Sequence, residues 1–368
     1  MISKLLSVML ILAGSVCAAQ DSFALQLFRH AARTADGKSV VLSPIGVEQT
    51  LRQVAPGTGG ATRAQLDSLP FGKPFIATES NVAPLITQAV FADETLPLTP
   101  AAGEVKRIPL TQAPQKAVEA INAWGNMATK GQINPLLDSA ACLSPNSRLL
   151  VINAIHLKAD WQYAFPPEGT EEMDFTYSDG EEGTVQLMTG DREFAAAGGR
   201  NWRAVALPYS GADKAKQPVY FVAILPRADA AGFAQHLTDD ALNIIRRKLR
   251  EKHYTTRVGL PRFSSRSKLL DFSATLKELG LRHIFSREAD FTPWTSAPIR
   301  LASVRQKAAV EITENGTTAT ALTVAEMDDE GEEANCLYFT RPFVWFIGTL
   351  EPDSTPLFMG IWEGPERP

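Results

Sequence analysis

Residues Val310–Phe343 read V-E-I-T-E-N-G-T-T-A-T-A-L-T-V-A-E-M-D-D-E-G-E-E-A-N-C-L-Y-F-T-R-P-F and combine two opposite compositions. Residues 317–325 are mostly small or β-branched and include no glycine or proline, which is typical of a strand. Residues 328–333 are acidic apart from one glycine, which predicts that they lie in solvent. The pattern predicts either an edge strand followed by a polar loop, or a loop that can itself become a strand.

The strand-like segment has two different faces, because side chains alternate along a strand. One face carries only small, uncharged side chains: Thr317, Ala319, Ala321 and Thr323. The other face carries Thr318, Thr320, Leu322 and Val324. Gly316, directly after Asn315, is a natural hinge before this segment. The small face could enter a protein core without overpacking or desolvating a charge.

The composition is that of an ordinary globular protein. The chain has 368 residues, of which 45% are hydrophobic and 21% charged. Its net charge of -5 argues against nucleic acid or an anionic membrane surface as the partner. Helical patterns dominate the first part and strand patterns the later part, which predicts an α+β fold. A long apolar run at residues 149–157 predicts a buried central strand. We find no repeat or linker, and expect one domain over residues 20–368.

The first 19 residues have the pattern of a secretory signal peptide. Lys4 is followed by the apolar run 5–16 and by the small-residue sequence Cys17-Ala18-Ala19. We therefore expect a secreted protein, extracellular or, in a bacterium, periplasmic. Two cysteines would remain, Cys142 and Cys336, which could pair or stay free.

The sequence lacks the common catalytic and ligand-binding motifs. The sequence contains no G-x-S-x-G, H-E-x-x-H, C-x-x-C or nucleotide-binding glycine pattern. Its five histidines are scattered, without the spacing of metal ligands. The acidic residues 328–333 could bind a cation, but they lack the spacing of a calcium loop, and a solvated face is the alternative. We expect neither an enzyme nor a cofactor, but a protein that binds or is acted upon.

Several ordered motifs resemble those of the serpin family, from about Phe23 to the C-terminus. In chain order they are Val41-Leu42-Ser43-Pro44-Ile45; Ile121-Asn122-x-Trp124 with Thr129-x-Gly131-x-Ile133; Val151–Lys158 followed by Trp161 and Phe165; Leu260-Pro261-Arg262-Phe263; Leu279-Gly280-Leu281; Ala289-Asp290-Phe291; Arg341-Pro342-Phe343; and Leu357-Phe358-Met359-Gly360. No single motif is decisive, and the resemblance rests on the whole set in this order.

The resemblance implies a serpin fold: three β-sheets with surrounding helices and an exposed reactive-centre loop. It implies a suicide inhibitor, monomeric, whose loop is attacked as substrate by a serine or cysteine protease. The cleaved loop then inserts into the main sheet and traps the protease covalently. Such a native state must be kinetically stable, or metastable. Serpin loop insertion is a well-known case of strand addition to a β-sheet.

The resemblance also assigns residues to a hinge and to a shutter and breach. The hinge comprises Glu314, Asn315, Gly316, Thr317, Thr318, Ala319, Thr320, Ala321, Leu322 and Thr323. The shutter and breach comprise Ser43, Pro44, Asn153, Trp161 and Gln306, the last standing where many members have histidine. Asn315-Gly316-Thr317 is also a glycosylation sequon, which we expect to be unoccupied because a glycan there would obstruct insertion.

The family's usual hinge-to-bond interval predicts cleavage between Glu330 and Gly331. Counting back from Pro342 suggests the next bond instead. In either case Asp328 and Asp329 make the segment that the protease would bind, which we call the bait, acidic. We therefore expect a target that selects acidic residues or is subtilisin-like, because the pocket of a trypsin-like enzyme holds a carboxylate.

Two departures from the family pattern bear on function. The chain between residues 73 and 84 is too short for the family's usual fourth helix, so we expect no heparin partner. The abbreviated helices and acidic loop also leave open an alternative, a non-inhibitory serpin that acts as a binding or carrier protein.

Overall fold

The computed structural model describes residues 21–73, 75–131, 134–143, 146–251, 254–267, 270–317 and 336–367. The predicted signal peptide, the hinge residues beyond Thr317 and the predicted reactive bond at Glu330-Gly331 lie outside these ranges.

Seven α-helices occur in the described ranges, and several carry the signals that helices require. In α1 the apolar side chains recur at helical spacing and are buried on one face. The Thr238 hydroxyl caps α6, which has acidic residues in its first turn and basic residues in its last. The helices are α1 (Phe23–Thr34), α2 (Pro44–Val54), α3 (Gly60–Asp67), α4 (Pro114–Ala128), α5 (Ala230–Gln235), α6 (Asp239–Arg250) and α7 (Ser273–Glu278).

Eighteen strands occur in the same ranges. They are β1 (Val40–Leu42), β2 (Leu85–Asp93), β3 (Val105–Ile108), β4 (Leu149–His156), β5 (Ala159–Asp160), β6 (Thr170–Thr176), β7 (Glu182–Gly198), β8 (Trp202–Pro208), β9 (Val219–Pro226), β10 (Tyr254–Pro261), β11 (Phe263–Arg266), β12 (Leu270–Asp271), β13 (Arg305–Gln306), β14 (Ala309–Thr313), β15 (Gly316–Thr317), β16 (Cys336–Tyr338), β17 (Phe343–Thr349) and β18 (Phe358–Trp362).

The largest sheet has nine strands in the order β1-β18-β17-β9-β8-β7-β10-β16, with β6 paired to β7. Its strands are antiparallel except for β10 and β16, which run parallel. All seven residues of β17 are buried. A strand buried on both faces reads as a continuous apolar run, which is why the segment Phe343–Thr349 shows no alternation.

Two smaller sheets position the hinge. One has the order β3-β2-β4 and the other the order β11-β14-β15-β5. Only two residues separate β4 from β5, so one stretch of chain forms an edge of both sheets. A two-stranded sheet of β12 and β13 lies beside them.

The apolar run at residues 149–157 forms β4, but its position differs from the sequence-based expectation. In the described ranges β4 pairs only with β2 and is an edge strand of its sheet, not a central one. The expectation was wrong because an apolar run shows only that both faces of a strand are covered by packing. It does not show whether both edges of the strand are hydrogen-bonded to neighbouring strands. The unpaired edge of β4 faces a cavity.

The fold is α+β, as the sequence predicts. The described residues form four hydrogen-bonded sheets, one more than the three that the resemblance implies. No helix in the described ranges has the length and apolarity needed to cross a membrane.

Candidate functional site: the hinge and the adjoining groove

The described part of the hinge, residues 314–317, forms the turn and the short return strand of a tight hairpin. Strand β14 ends at Thr313, Glu314 and Asn315 form the turn, and β15 returns antiparallel with Thr317 opposite Ile312. The other edge of β15 pairs antiparallel with β5, so that Thr317 also lies opposite Ala159. The first two residues after the turn are therefore already inserted between two strands that run parallel to each other.

Gly316 is required at this turn for two reasons. Its φ of 150° lies in a region that side-chain-bearing residues rarely adopt. A Cβ atom at this position would also collide with the carbonyl oxygen of Ala159. The glycine thus permits the close approach between β15 and β5.

Thr317 is held by an aromatic cluster. Its side chain is buried, and its hydroxyl lies 2.6 Å from the hydroxyl of Tyr209. The Tyr209 ring stacks on Trp161, with ring centroids 4.8 Å apart, and the Trp161 indole donates to the Thr313 carbonyl at 2.9 Å. Burial raises the pKa of Tyr209, so its hydroxyl stays protonated and can donate. Tyr209 was not predicted from the sequence as part of this site.

Glu314 ties the hinge turn to the body of the protein. It forms an ion pair with Arg262 and accepts a hydrogen bond from the Thr170 hydroxyl at 2.8 Å. Its carbonyl accepts from the Phe165 amide at 2.8 Å. Burial acts to raise the pKa of Glu314, but the hydrogen bonds from Arg262 and Thr170 outweigh it and hold the pKa below its ordinary value. The carboxylate is therefore charged and paired near neutral pH.

Ser43, Pro44 and Gln306 come together at the predicted shutter. The Ser43 amide donates to Gln306 Oε1 at 2.7 Å, and Gln306 Nε2 donates to the Ser43 carbonyl at 2.9 Å. The Ser43 hydroxyl donates to the Leu357 carbonyl at 2.6 Å and accepts from the Gly46 amide at 3.2 Å. Pro44 occupies the first position of α2, where its missing N–H is harmless. The Gln306 amide thus pairs with both backbone polar groups of one residue, Ser43.

Asn153, the fourth predicted shutter residue, lies beside this group but is not bonded to it. Its side chain is buried, yet neither Oδ1 nor Nδ2 has a hydrogen-bond partner in the described part of the chain. A buried amide without partners costs free energy, so a partner is expected from elsewhere. Trp161, the remaining residue assigned to the shutter and breach, lies beside the hinge turn, where its indole donates to the Thr313 carbonyl. Its role stays a prediction.

Asn153 lines a cavity of about 490 Å³, which we name the groove. One wall is the unpaired side of β4, including Leu149 and Val151, and the other is formed by residues 300–307. Four cationic residues line it, Lys277, Arg300, Arg305 and Lys307, and its described lining includes no carboxylate. The groove therefore has a positively charged lining beside the unpaired edge of β4.

Other predicted features can be located only in part. Cys142 and Cys336 are both free thiols. No group of three His, Cys, Asp or Glu side chains that could hold a metal occurs in the ranges described. Thr318, Ala319, Thr320, Ala321, Leu322, Thr323, Asp328, Asp329, Glu330 and Gly331 lie outside those ranges, and their roles stay predictions.

Comparison with known proteins identifies the family to which this chain is similar. A family model described as serpin (serine protease inhibitor) matches residues 88–365. The leukocyte elastase inhibitor of Sus scrofa is 28% identical, over 95% of this chain and 99% of that protein. The plasminogen activator inhibitor 1 of the same species is 27% identical, over 92% and 90%. The crystal structure of native protease nexin-1 with heparin superposes with a TM-score of 0.77 at 22% identity, over 94% of this chain and 97% of that chain.

Proposed function

This chain belongs to the serpin family, and we propose that it acts as a secreted suicide inhibitor of serine proteases. The family is one of serine protease inhibitors, and the named relatives are inhibitors rather than enzymes. Secretion, the trapping mechanism and the position of the reactive bond belong to the proposal. Secretion rests on the composition of residues 1–19.

In the proposed reaction the hydroxyl of the protease's serine attacks the carbonyl carbon of Glu330. The bond to the Gly331 nitrogen breaks, the serine's proton passes through the protease's own base to the leaving amine, and an ester joins Glu330 to the protease. The freed loop then inserts and carries the protease away before water hydrolyses the ester. The protein supplies no catalytic group of its own.

The observation that carries this proposal is the position of β15. Thr317 is buried between β14 and β5, so insertion has a defined start and a defined register. The adjoining groove offers space beside the unpaired edge of β4. The next residues on the face of Thr317 are small and uncharged, as burial between two strands requires.

The proposed insertion would also give Asn153 a hydrogen-bond partner. Six positions on from Thr317 is Thr323, and six positions back from Ile312 and from Ala159 are Gln306 and Asn153. If insertion continues in this register, the Thr323 hydroxyl arrives beside the buried Asn153 amide that has no partner in the described ranges. Satisfying that amide would favour the inserted state.

Because the residues around the predicted reactive bond are acidic, we propose that the target protease selects acidic residues or is subtilisin-like, and that it is not trypsin-like. We further propose that the inhibitor is monomeric and acts without heparin or another cofactor.

The test is incubation with a glutamyl-specific protease and a subtilisin-like protease, followed by denaturing electrophoresis and mass spectrometry. We expect a complex that resists denaturation and a released peptide that begins at Gly331, or at Glu332 if the next bond is cut. Clean cleavage without complex, and no rise in thermal stability afterwards, would point to the binding or carrier alternative.

A matched pair of variants sharpens the test. Ala321→Arg places a charge on the face that must be buried, and should lower the yield of complex by about tenfold or more, because burying an unpaired charge costs more than 1.4 kcal/mol. Leu322→Arg places the same charge on the opposite face and should keep the complex. Equal loss in both variants would contradict the proposed insertion face.

A further inference from the structure

The groove beside β4 carries an excess of positive charge. Its described lining includes no carboxylate. The cationic residues that line it are Lys277, Arg300, Arg305 and Lys307. Arg305 forms an ion pair with Asp271 at 3.4 Å. Lys307 forms an ion pair with Asp138 at 3.0 Å. The excess charge therefore comes from the other two cations.

Arg300 and Lys277 lie at the same end of the groove. Arg300 is exposed, and no ion pair joins it or Lys277 to a carboxylate within the ranges that the structure describes. The amide of Leu301, the next residue, donates to the Ile284 carbonyl at 2.9 Å. Lys277 Nζ lies 5.2 Å from the ring centre of Phe285, which also lines the groove. An aromatic ring attracts an ammonium group but does not neutralise it, so both cations can receive an anion.

The rest of the groove offers apolar surface and one buried amide. Aliphatic side chains form much of the lining along the groove: Leu136, Leu137, Leu143, Leu149 and Val151. Asn153 also lines it and is only 4% exposed, and its Oδ1 and Nδ2 have no hydrogen-bond partner among the described residues. A buried amide without partners favours any ligand that supplies them.

These features match one chemical class of ligand, a phosphate monoester with an apolar body. The phosphate group of a monoester carries close to two negative charges near neutral pH and has three strong acceptor oxygens. An arginine fork can bind two of these oxygens, and a lysine adds a point charge. The groove volume of about 490 Å³ is in the range of small-molecule sites.

We infer that the groove binds such a phosphate monoester, with the phosphate against Arg300 and Lys277 and the apolar body along β4. The ligand occupies the space beside the unpaired edge of β4. It therefore stabilises the native form and opposes insertion of the cleaved loop, a consequence that rests on the proposed function. Ligand binding at the groove thus regulates the inhibitor.

The first test uses the native, uncleaved protein and 1-naphthyl phosphate, whose fused rings supply the apolar body. Isothermal titration calorimetry should show saturable binding to one site, which weakens as ionic strength rises. Inorganic phosphate and 1-naphthol each have only one of the two parts that the groove recognises. Each should bind about tenfold more weakly or less tightly still.

A matched pair of variants locates the phosphate. Arg300→Glu should raise the Kd for 1-naphthyl phosphate by about tenfold or more, because it replaces an attraction by a repulsion. Arg200→Glu, a change at an exposed arginine between β7 and β8 that does not line the groove, should leave the Kd unchanged. Equal weakening in both variants, equally tight binding of 1-naphthol, or no saturable binding by the unmodified protein would overturn the inference.

The effect on insertion is tested separately, in the trapping reaction. Saturating 1-naphthyl phosphate should lower the yield of denaturation-resistant complex by about twofold or more in the unmodified protein, and not in Arg300→Glu. The protease's activity toward a peptide substrate, with and without the ligand, is the control. An unchanged yield with the ligand bound would overturn the regulatory effect. Absence of complex without ligand would instead contradict the proposed function, and the binding measurements would still decide whether the site exists.

Discussion

The hydroxyl oxygens of Tyr209 and Thr317 lie 2.6 Å apart where β15 enters between β14 and β5. The two residues are separated by 108 positions in the chain. The hydrogen bond is buried, and its partners can be exchanged for water only if the hinge leaves the sheet. This contact therefore reports directly on whether the hinge is inserted.

Removing the Tyr209 hydroxyl should loosen the hinge. Tyr209→Phe keeps the ring that stacks on Trp161 but leaves the Thr317 hydroxyl buried without its partner. We expect a destabilisation of about 1–3 kcal/mol, measured as a lower apparent Tm. Tyr220→Phe is the control, because no hydrogen bond of the Tyr220 hydroxyl is recorded in the described ranges; a similar loss there would argue against a special role for Tyr209.

The Glu314 ion pair should make hinge stability depend on pH. The folded-state pKa of Glu314 is lowered, so its contribution is complete above the unfolded-state value of about 4.5 and is lost as the pH falls through the folded-state pKa. Acidification below about pH 5 should thus lower the apparent Tm by a smaller amount in Glu314→Gln than in the unmodified protein. Parallel pH profiles for the two proteins would show that Glu314 does not contribute.

Adding a Cβ atom at Gly316 should displace β15. Gly316→Ala combines an unfavourable φ with a collision against the Ala159 carbonyl. We expect a destabilisation of about 1–3 kcal/mol and more cleavage without trapping, seen as a smaller fraction of complex on denaturing gels. Gly198→Ala is the control, since a Cβ there meets nothing within 4 Å. Unchanged trapping by Gly316→Ala would mean that the tight turn is dispensable.

Shortening Gln306 should open the shutter. Gln306→Ala removes the hydrogen bonds of Gln306 to the backbone N–H and the carbonyl of Ser43, and leaves both of these buried groups without that partner. The expected cost is about 2–4 kcal/mol, measured as a lower apparent Tm before loop cleavage. Gln65→Ala also removes two side-chain bonds to backbone amides, those of Arg282 and His283, but at a more exposed site where water can replace them. Equal losses in the two variants would contradict the importance of burial at the shutter.

Local patterns predict the existence of many elements better than their limits. The apolar spacing of residues 21–33 and 115–128 predicts two helices, and α1 and α4 occur there. Helical spacing over residues 230–251 predicts one helix, but this segment forms two, because Thr238 caps a second helix after α5 ends. Thr62 has the residue type of a helix cap but lies within α3, and its hydroxyl accepts from the Asp290 amide.

Some residues of the candidate site could be identified from sequence motifs, and others only from the folded structure. Ser43, Gln306 and Glu314 belong to recognisable motifs and could be named from sequence. Tyr209 and Thr170 could not, because nothing near them in the chain distinguishes a tyrosine or threonine that binds the hinge from an ordinary one. Their role depends on β8 and β6 lying beside residues more than one hundred positions away.

The family, the α+β class, the small uncharged face predicted for the hinge and the acidity of residues 328–333 could all be read from the sequence, because they depend on residue types at fixed spacing. The open edge of β4 and the lack of a hydrogen-bond partner for the Asn153 amide in the described ranges became visible only in the folded chain. The fold also gathers four cationic residues, Lys277, Arg300, Arg305 and Lys307, in the lining of the groove. The physical reason is that pairing, burial and desolvation are properties of neighbours in space, and these neighbours come from separate parts of the chain.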